Sequence, residues 1–147
     1  MQKLEEIYNF YKIPKLFNTS GQPTEEQLIM LANNGYQVII NLAEKCRVGC
    51  FEIDEKNILQ SQRVTYVHIP VKFNNPTQLN FDEFVYTIRN FKNKKIWVHC
   101  AANMRVSAFV YKYRRDILGL DHNKIFLDMK AIWNPNDVWN SFLDLNN

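Results

Sequence analysis

At 147 residues the chain is long enough to bury a substantial core and is read as one domain, residues 1–147. Apolar residues make up 46% of it and aromatics 14%, which excludes a disordered chain. Its net charge of +3 favours acidic or phosphorylated ligands but falls short of the footprint of a dedicated nucleic-acid binder.

Met1–Ile7 lacks the apolar stretch of a secretory signal, and no run approaches the length of a membrane span. Three cysteines, an odd number, fit a reducing compartment, so the chain is expected to be cytoplasmic. Apolar residues Leu4, Ile7, Tyr8, Phe10 and Tyr11 predict a helix over 2–11, stopped by Pro14. Leu16–Thr19 reads as a short extended piece before a turn at Gly21-Gln22-Pro23. Thr24-Glu25-Glu26-Gln27 has capping-box form and opens a helix with Leu28, Leu31 and Ala32 inward, closed at Asn33-Asn34-Gly35. Tyr36–Leu42 is almost continuously apolar and β-branched, the pattern of a strand buried on both faces. Glu44–Gly49 is a polar loop, and Phe51–Gln62 forms a helix with Ile53 and either Ile58 or Leu59 inward. Cys46 and Cys50 lack the further Cys or nearby His of a structural zinc site, and no metal or cofactor is expected.

Val64–Val71 is the next strand, with His68 inside it as a hydrogen-bonded structural residue. After the loop Lys72–Thr77, a capped helix begins at Asn80-Phe81-Asp82-Glu83 and runs to about Phe91. Ile96–Val98 is a strand, followed by His99-Cys100, a short loop closed by Arg105, and a helix from Val106 to Leu118 ended by Gly119. Asp121–Ile132 makes the last major helix, and Pro135 opens a short one carrying Val138, Trp139, Phe142 and Leu143. Trp133 and Trp139 are read as packing residues. This alternation predicts an α/β fold with a central, mostly parallel β-sheet flanked by helices. Ligands of such sheets bind at the carboxyl ends of the strands, where Cys100 falls.

The loop's amides and the first turn of the following helix present unpaired donors and partial positive charge, which suits a phosphate-like anion. Arg105 adds a planar fork of donors, and the same field favours the thiolate form of Cys100, the form that attacks. Asn103 stands mid-loop, where a tight turn needs positive φ that Asn tolerates.

His99-Cys100 followed by Arg105 resembles the active-site loop of cysteine-dependent phosphatases of the protein tyrosine and dual-specificity type. The usual loop of that superfamily has five residues between Cys and Arg; here there are four, Ala101 to Met104. That spacing is similar to a bacterial branch, the phosphatase-like domain related to beta-lactamase-hydrolase-like proteins. Thr19-Ser20-Gly21-Gln22-Pro23-Thr24, Gly35–Leu42 and Tyr66–Val71 look like its framework, and the likeness covers about residues 16–143. The resemblance implies a dual-specificity-type fold in which Cys100 attacks phosphorus. Ala101, Ala102, Asn103, Met104 and Arg105 would hold the phosphoryl oxygens, His99 would orient Cys100, and Ser107 would assist thiolate departure.

The superfamily's usual general acid is an Asp on the loop after the preceding strand. Lys72–Thr77 has none, so Asp82 is the first candidate, although helix capping competes for it; Lys72, Asn74 and Asn75 are candidates for substrate contact. The expected partner is a phosphorylated substrate, phosphotyrosine-like or small, with no nucleic acid and no membrane span; oligomeric state stays open. Two alternatives stand beside the phosphatase. One is a rhodanese-like sulfurtransferase, which shares the four-residue loop length and would carry a persulfide on Cys100. The other is a phosphoanion-binding module without turnover.

Overall fold

The computed structural model describes residues 3–45 and 53–145. Five strands form one sheet: β1 (Tyr11–Ile13), β2 (Phe17–Ser20), β3 (Val38–Asn41), β4 (Thr65–His68) and β5 (Ile96–His99), in the order β1-β2-β5-β3-β4. Among the described strands of this sheet only the β1–β2 pair is antiparallel. The fold is the expected α/β sheet, with β5 inserted last between β2 and β3. Registers Ser20↔His99 and Asn41↔His99 bring the three central strands level at their carboxyl ends.

Side chains alternate across the sheet. Val38, Ile40, Ile96 and Val98 face one apolar cluster, built with α3 (Gln78–Asn90), α4 (Met104–Lys112), α5 (His122–Ile132) and α6 (Asp137–Phe142). Ile39 and Trp97 face the other, built with α1 (Glu25–Asn33) and α2 (Glu55–Ser61). The same parity sends Cys100 to the α3–α4 side and His99 to the α1–α2 side.

The Thr24–Gln27 capping box is formed, and Gly35 takes φ +85° to end α1. In α2, Leu59 is the fully buried choice and Ile58 only partly so. Cys46 and Cys50 lie outside the described residues. The strand expected over 64–71 spans only Thr65–His68 and the helix expected from Val106 opens at Met104, and three larger differences from expectation follow. The helix over 2–11 is replaced by a single 3-10 turn, Leu4–Glu6, after which Tyr11–Ile13 pairs with Phe17–Ser20 as a hairpin edge. Sheet hydrogen bonds made by pairing with β2 outweigh a local apolar pattern too short to hold a helix. Helix α3 begins at Gln78, capped by Thr77 with Asn80 reciprocating, so Asn80 sits inside it. Beyond Lys112 the α4 helix widens into a π turn, Tyr113–Ile117, before Gly119 at φ +66°. Of the apolar residues expected on the last short helix, Val138 is 42% exposed and Trp139 fully buried.

Candidate active site

Cys100 follows the central strand directly and is 1% exposed. The chain then turns through Ala101, Ala102 and Asn103 into α4. Asn103 adopts φ +65° and ψ +4°, the left-handed conformation that lets so short a loop meet the helix. Its side chain is turned inward, Nδ2 donating to the Asn9 carbonyl at 2.9 Å and to Thr19 Oγ1 at 3.1 Å. It makes no capping bond, so the N–H groups of the first turn of α4 stay available to an anion.

The loop is tied down from outside. Asn9 Nδ2 donates to the Ala102 carbonyl at 3.0 Å, and the Gln22 N–H donates to the Ala101 carbonyl at 2.9 Å. Gly21 lies against it so closely that an added Cβ would stand 2.6 Å from the Ala101 oxygen. The Gly21-Gln22-Pro23 turn is therefore the floor on which the loop rests.

Arg105, 8% exposed, folds back across the strand ends. One guanidinium nitrogen, Nη1, donates to the Val71 carbonyl at 2.9 Å and lies 3.8 Å from Glu44 Oε1; the group also sits over the Phe73 ring at 5.8 Å. Glu44 Oε1 in turn accepts the Phe73 N–H at 3.2 Å. Nothing local in the sequence marks Glu44 as a neighbour of Arg105.

On the opposite face, His99 is fully buried and its Nε2 lies 2.5 Å from Glu55 Oε2. His99 Nδ1 faces the Cys100 carbonyl at 3.3 Å, and Glu55 Oε1 accepts from Gln22 Nε2 at 3.1 Å. Burial opposes the charged form of Glu55, but the bond and charge of His99, with Gln22 and His68, outweigh it and hold the carboxyl below the usual carboxylate range. Glu55 also borders an open cleft of about 850 Å³ that Gln22, Asn41, Glu44, Lys45 and Ala101 help to line.

The structure thus gathers Cys100, the loop Ala101–Met104 and Arg105 at the end of β5, while the His99 side chain lies on the opposite face of the sheet. The remaining candidates are placed otherwise. Ser107 donates its hydroxyl proton to the Met104 carbonyl at 2.7 Å and accepts from Trp133 Nε1 at 3.0 Å, so its proton is committed to that carbonyl. Asp82 lies in the second turn of α3, accepting from Gln78 Nε2 at 2.9 Å, and lines a separate depression with Leu79 and Tyr86. It is neither a helix cap nor a member of the group around Cys100, because α3 starts earlier than its sequence pattern indicated. Lys72, Asn74 and Asn75 form an exposed tight turn closed by the Asn75 N–H on the Lys72 carbonyl at 3.0 Å. His68 donates from Nε2 to the Ala43 carbonyl at 2.6 Å, the structural role expected of it. Trp139 is buried and Trp133 partly so, packed against each other and against Phe73. Among the described residues no group of three His, Cys, Asp or Glu side chains is arranged to hold a metal ion, and no helix is long and apolar enough to cross a membrane.

Comparison with known proteins places this geometry. A family model described as "DSP-PTPase phosphatase fused to NAD+ Kinase" matches residues 9–134. A protein of Shewanella putrefaciens CN-32, named as a candidate phosphatase (DUF442), is similar at 27% identity with a TM-score of 0.82, over 97% of this chain and 93% of its own. The core catalytic domain of the PP-IP phosphatase SIW14 from S. cerevisiae, in complex with citrate, shares the fold at 15% identity and a TM-score of 0.75, over 96% and 86% of the two chains. A cysteine-to-serine variant of P. aeruginosa TpbA, in complex with pTyr, does so at 14% identity and 0.66, over 99% and 92%. No curated protein matches the sequence.

Proposed function

The chain belongs to the phosphatase family described as DSP-PTPase phosphatase fused to NAD+ kinase, and from that premise we propose that it hydrolyses phosphomonoesters through a phosphocysteine on Cys100. The observation that carries this reading is Cys100 at the end of the central strand, heading a four-residue loop that closes on the N-terminus of α4. In the first step the Cys100 thiolate attacks phosphorus, the phosphorus–oxygen bond to the leaving group breaks, and the departing oxygen takes a proton from solvent. The α4 first-turn amides and Arg105 hold the equatorial oxygens and stabilise the charge that builds on them. In the second step water attacks the phosphocysteine, phosphate leaves, and the thiolate is restored.

Arg105 is held by the Val71 carbonyl and lies over the Phe73 ring, so it meets the substrate with little further ordering. No carboxylate lies on the loop after β4, and Asp82 lines a separate depression, so the leaving group departs without a positioned acid from either. That costs about 10²–10⁴-fold for poor leaving groups and least for acidic phenols. The substrate class is a phosphotyrosine-like or small phosphorylated molecule, in keeping with the open cleft beside Ala101. A free thiolate in this role also accords with a cytoplasmic setting.

The test is hydrolysis of an aryl phosphate with an acidic phenol, by the wild type and by Cys100→Ser, with vanadate as competitor. Vanadate-sensitive turnover lost in the Ser variant is the expected result. Thiosulfate-to-cyanide sulfur transfer in place of phosphate release would replace the phosphatase with a sulfurtransferase. Phosphate binding without turnover would replace it with a binding module.

A further inference from the structure

The fully buried amide of Asn103 donates from Nδ2 to the Asn9 carbonyl at 2.9 Å and to Thr19 Oγ1 at 3.1 Å. A carbonyl oxygen only accepts, so the end of the amide on Asn9 is the nitrogen, and the other end, Oδ1, is an acceptor. That Oδ1 is buried and has no protein partner. Arg114, 8% exposed on the π turn that continues α4, carries the complementary atom. Its Nη1 donates to Asp128 Oδ2 at 2.5 Å, while Nε, a donor, is buried without a partner. Among the described residues these are the two buried side-chain polar atoms in that condition. Both residues line the same small cavity, which also touches Tyr11 of β1 and Asp128 of α5.

An unmade bond at either atom carries the full cost of its burial, and native interiors rarely leave such groups unpaired. One acceptor and one donor bordering the same space call for a bound molecule that can both donate and accept. A free anion would be repelled by Oδ1 and a metal cation by the guanidinium. Water serves both, and the cavity, about 10 Å³, has room for one water molecule. Thr19 and Ser107 line it as well and carry hydroxyl oxygens able to accept the second proton. We propose that a single buried water is bound here, donating to Asn103 Oδ1 and accepting from Arg114 Nε, and that Arg114 is thereby a positioning residue for the phosphate loop. The guanidinium is itself held in place, since Asp128 also accepts from the Tyr11 hydroxyl, through Oδ1, at 2.5 Å. A braced path thus runs from α5 through Arg114 and the water to the left-handed residue on which the loop turns.

The water and its effect on the loop do not depend on the phosphatase reading; only the effect on turnover rests on it. The first test is a high-resolution crystal structure of the wild-type protein. Ordered solvent within hydrogen-bond distance of both Asn103 Oδ1 and Arg114 Nε is expected, and no solvent there, or solvent on only one of the two atoms, overturns the proposal. The second is amide hydrogen exchange in Arg114→Lys, which keeps a cation for Asp128 but has no Nε donor. Exchange at Ala101–Arg105 is expected to quicken about 3–10-fold while the amides of β5 keep wild-type rates. Aryl phosphate kcat/KM should fall by a similar factor. Unchanged loop exchange, or equal quickening in the loop and in β5, overturns the positioning role, since the latter is general destabilisation. Asp128→Asn keeps the shape of the carboxylate and loosens Arg114, so it replaces Arg114→Lys with the same expected result should that variant not fold. Loop exchange that responds in a protein without phosphatase activity leaves the proposal standing and removes the phosphatase reading instead.

Discussion

Gly21→Ala tests how tightly the phosphate loop is braced. The added Cβ would stand 2.6 Å from the Ala101 carbonyl oxygen, 2.6 Å from Tyr8 Cδ2 and 3.2 Å from the Ala102 Cα. The Tyr8 ring is 58% exposed and can swing outward at little cost, but the other two atoms are backbone of the loop itself. Restoring an ordinary contact there needs a displacement of roughly 0.5–1 Å, against tethers from Gln22 and Asn9. Overpacking of this kind costs about 1–3 kcal/mol, or about 2–12 °C in Tm for a chain of this size. Activity is expected to fall further than stability, by roughly 10²-fold in kcat/KM, because the displaced atoms are those that orient the nucleophile and the anion donors. Differential scanning calorimetry and aryl phosphate kinetics measure the two effects, with vanadate affinity as a check on the loop. A variant with wild-type Tm, kcat/KM and vanadate affinity would refute the claim that this turn sets the loop's shape.

Three further outcomes follow from the same geometry. Asn103→Ala loses the bonds to Asn9 and Thr19 and keeps a Cβ in the left-handed conformation; it should destabilise by about 2–4 kcal/mol, with Asn103→Gly milder by about 1 kcal/mol, as read by urea unfolding. Ser107→Ala should not trap a phosphorylated intermediate, since its hydroxyl proton is committed to Met104; rapid-quench kinetics showing an enlarged burst and a slowed second step would contradict this. Glu55, held below the usual carboxylate range when folded, contributes stability that is present above its unfolded titration and lost as pH falls through its folded one. Urea unfolding from neutral to acidic pH should therefore decline through the acid range in wild type and less steeply in Glu55→Gln, and equal slopes would show that the carboxylate is not ionised in the native state.

Local signals made the frame of the fold legible. Thr24 and Gln27 announce α1, Gly35 ends it, and the apolar run around Val38–Asn41 reads as a central strand because it is buried on both faces. The Cys100–Arg105 spacing, with a strand before it and a helix after, marks the site because all the parts of an anion cradle are contiguous in the chain. Features that depend on distant partners were not legible. Strand β1 is three residues whose strand pairing is with Phe17–Ser20, and the apolar spacing before it mimics a helix. The sequence sets the start of α3 too late because Asn80 completes a capping box where Glu or Gln is the usual signal. The two carboxylates beside the site, Glu44 and Glu55, sit on segments whose sequence is unremarkable. Parity along β5 gives the direction of His99, but only the packing of α2 against that face supplies its partner.

The most direct test of phosphocysteine chemistry is intact-protein mass spectrometry of the enzyme quenched during turnover of an aryl phosphate, followed by peptide mapping. A phosphoryl adduct on Cys100, absent from Cys100→Ser and lost on longer incubation as phosphate is released, is the predicted result. Turnover without an adduct on Cys100, or turnover retained in Cys100→Ser, would contradict the proposed mechanism.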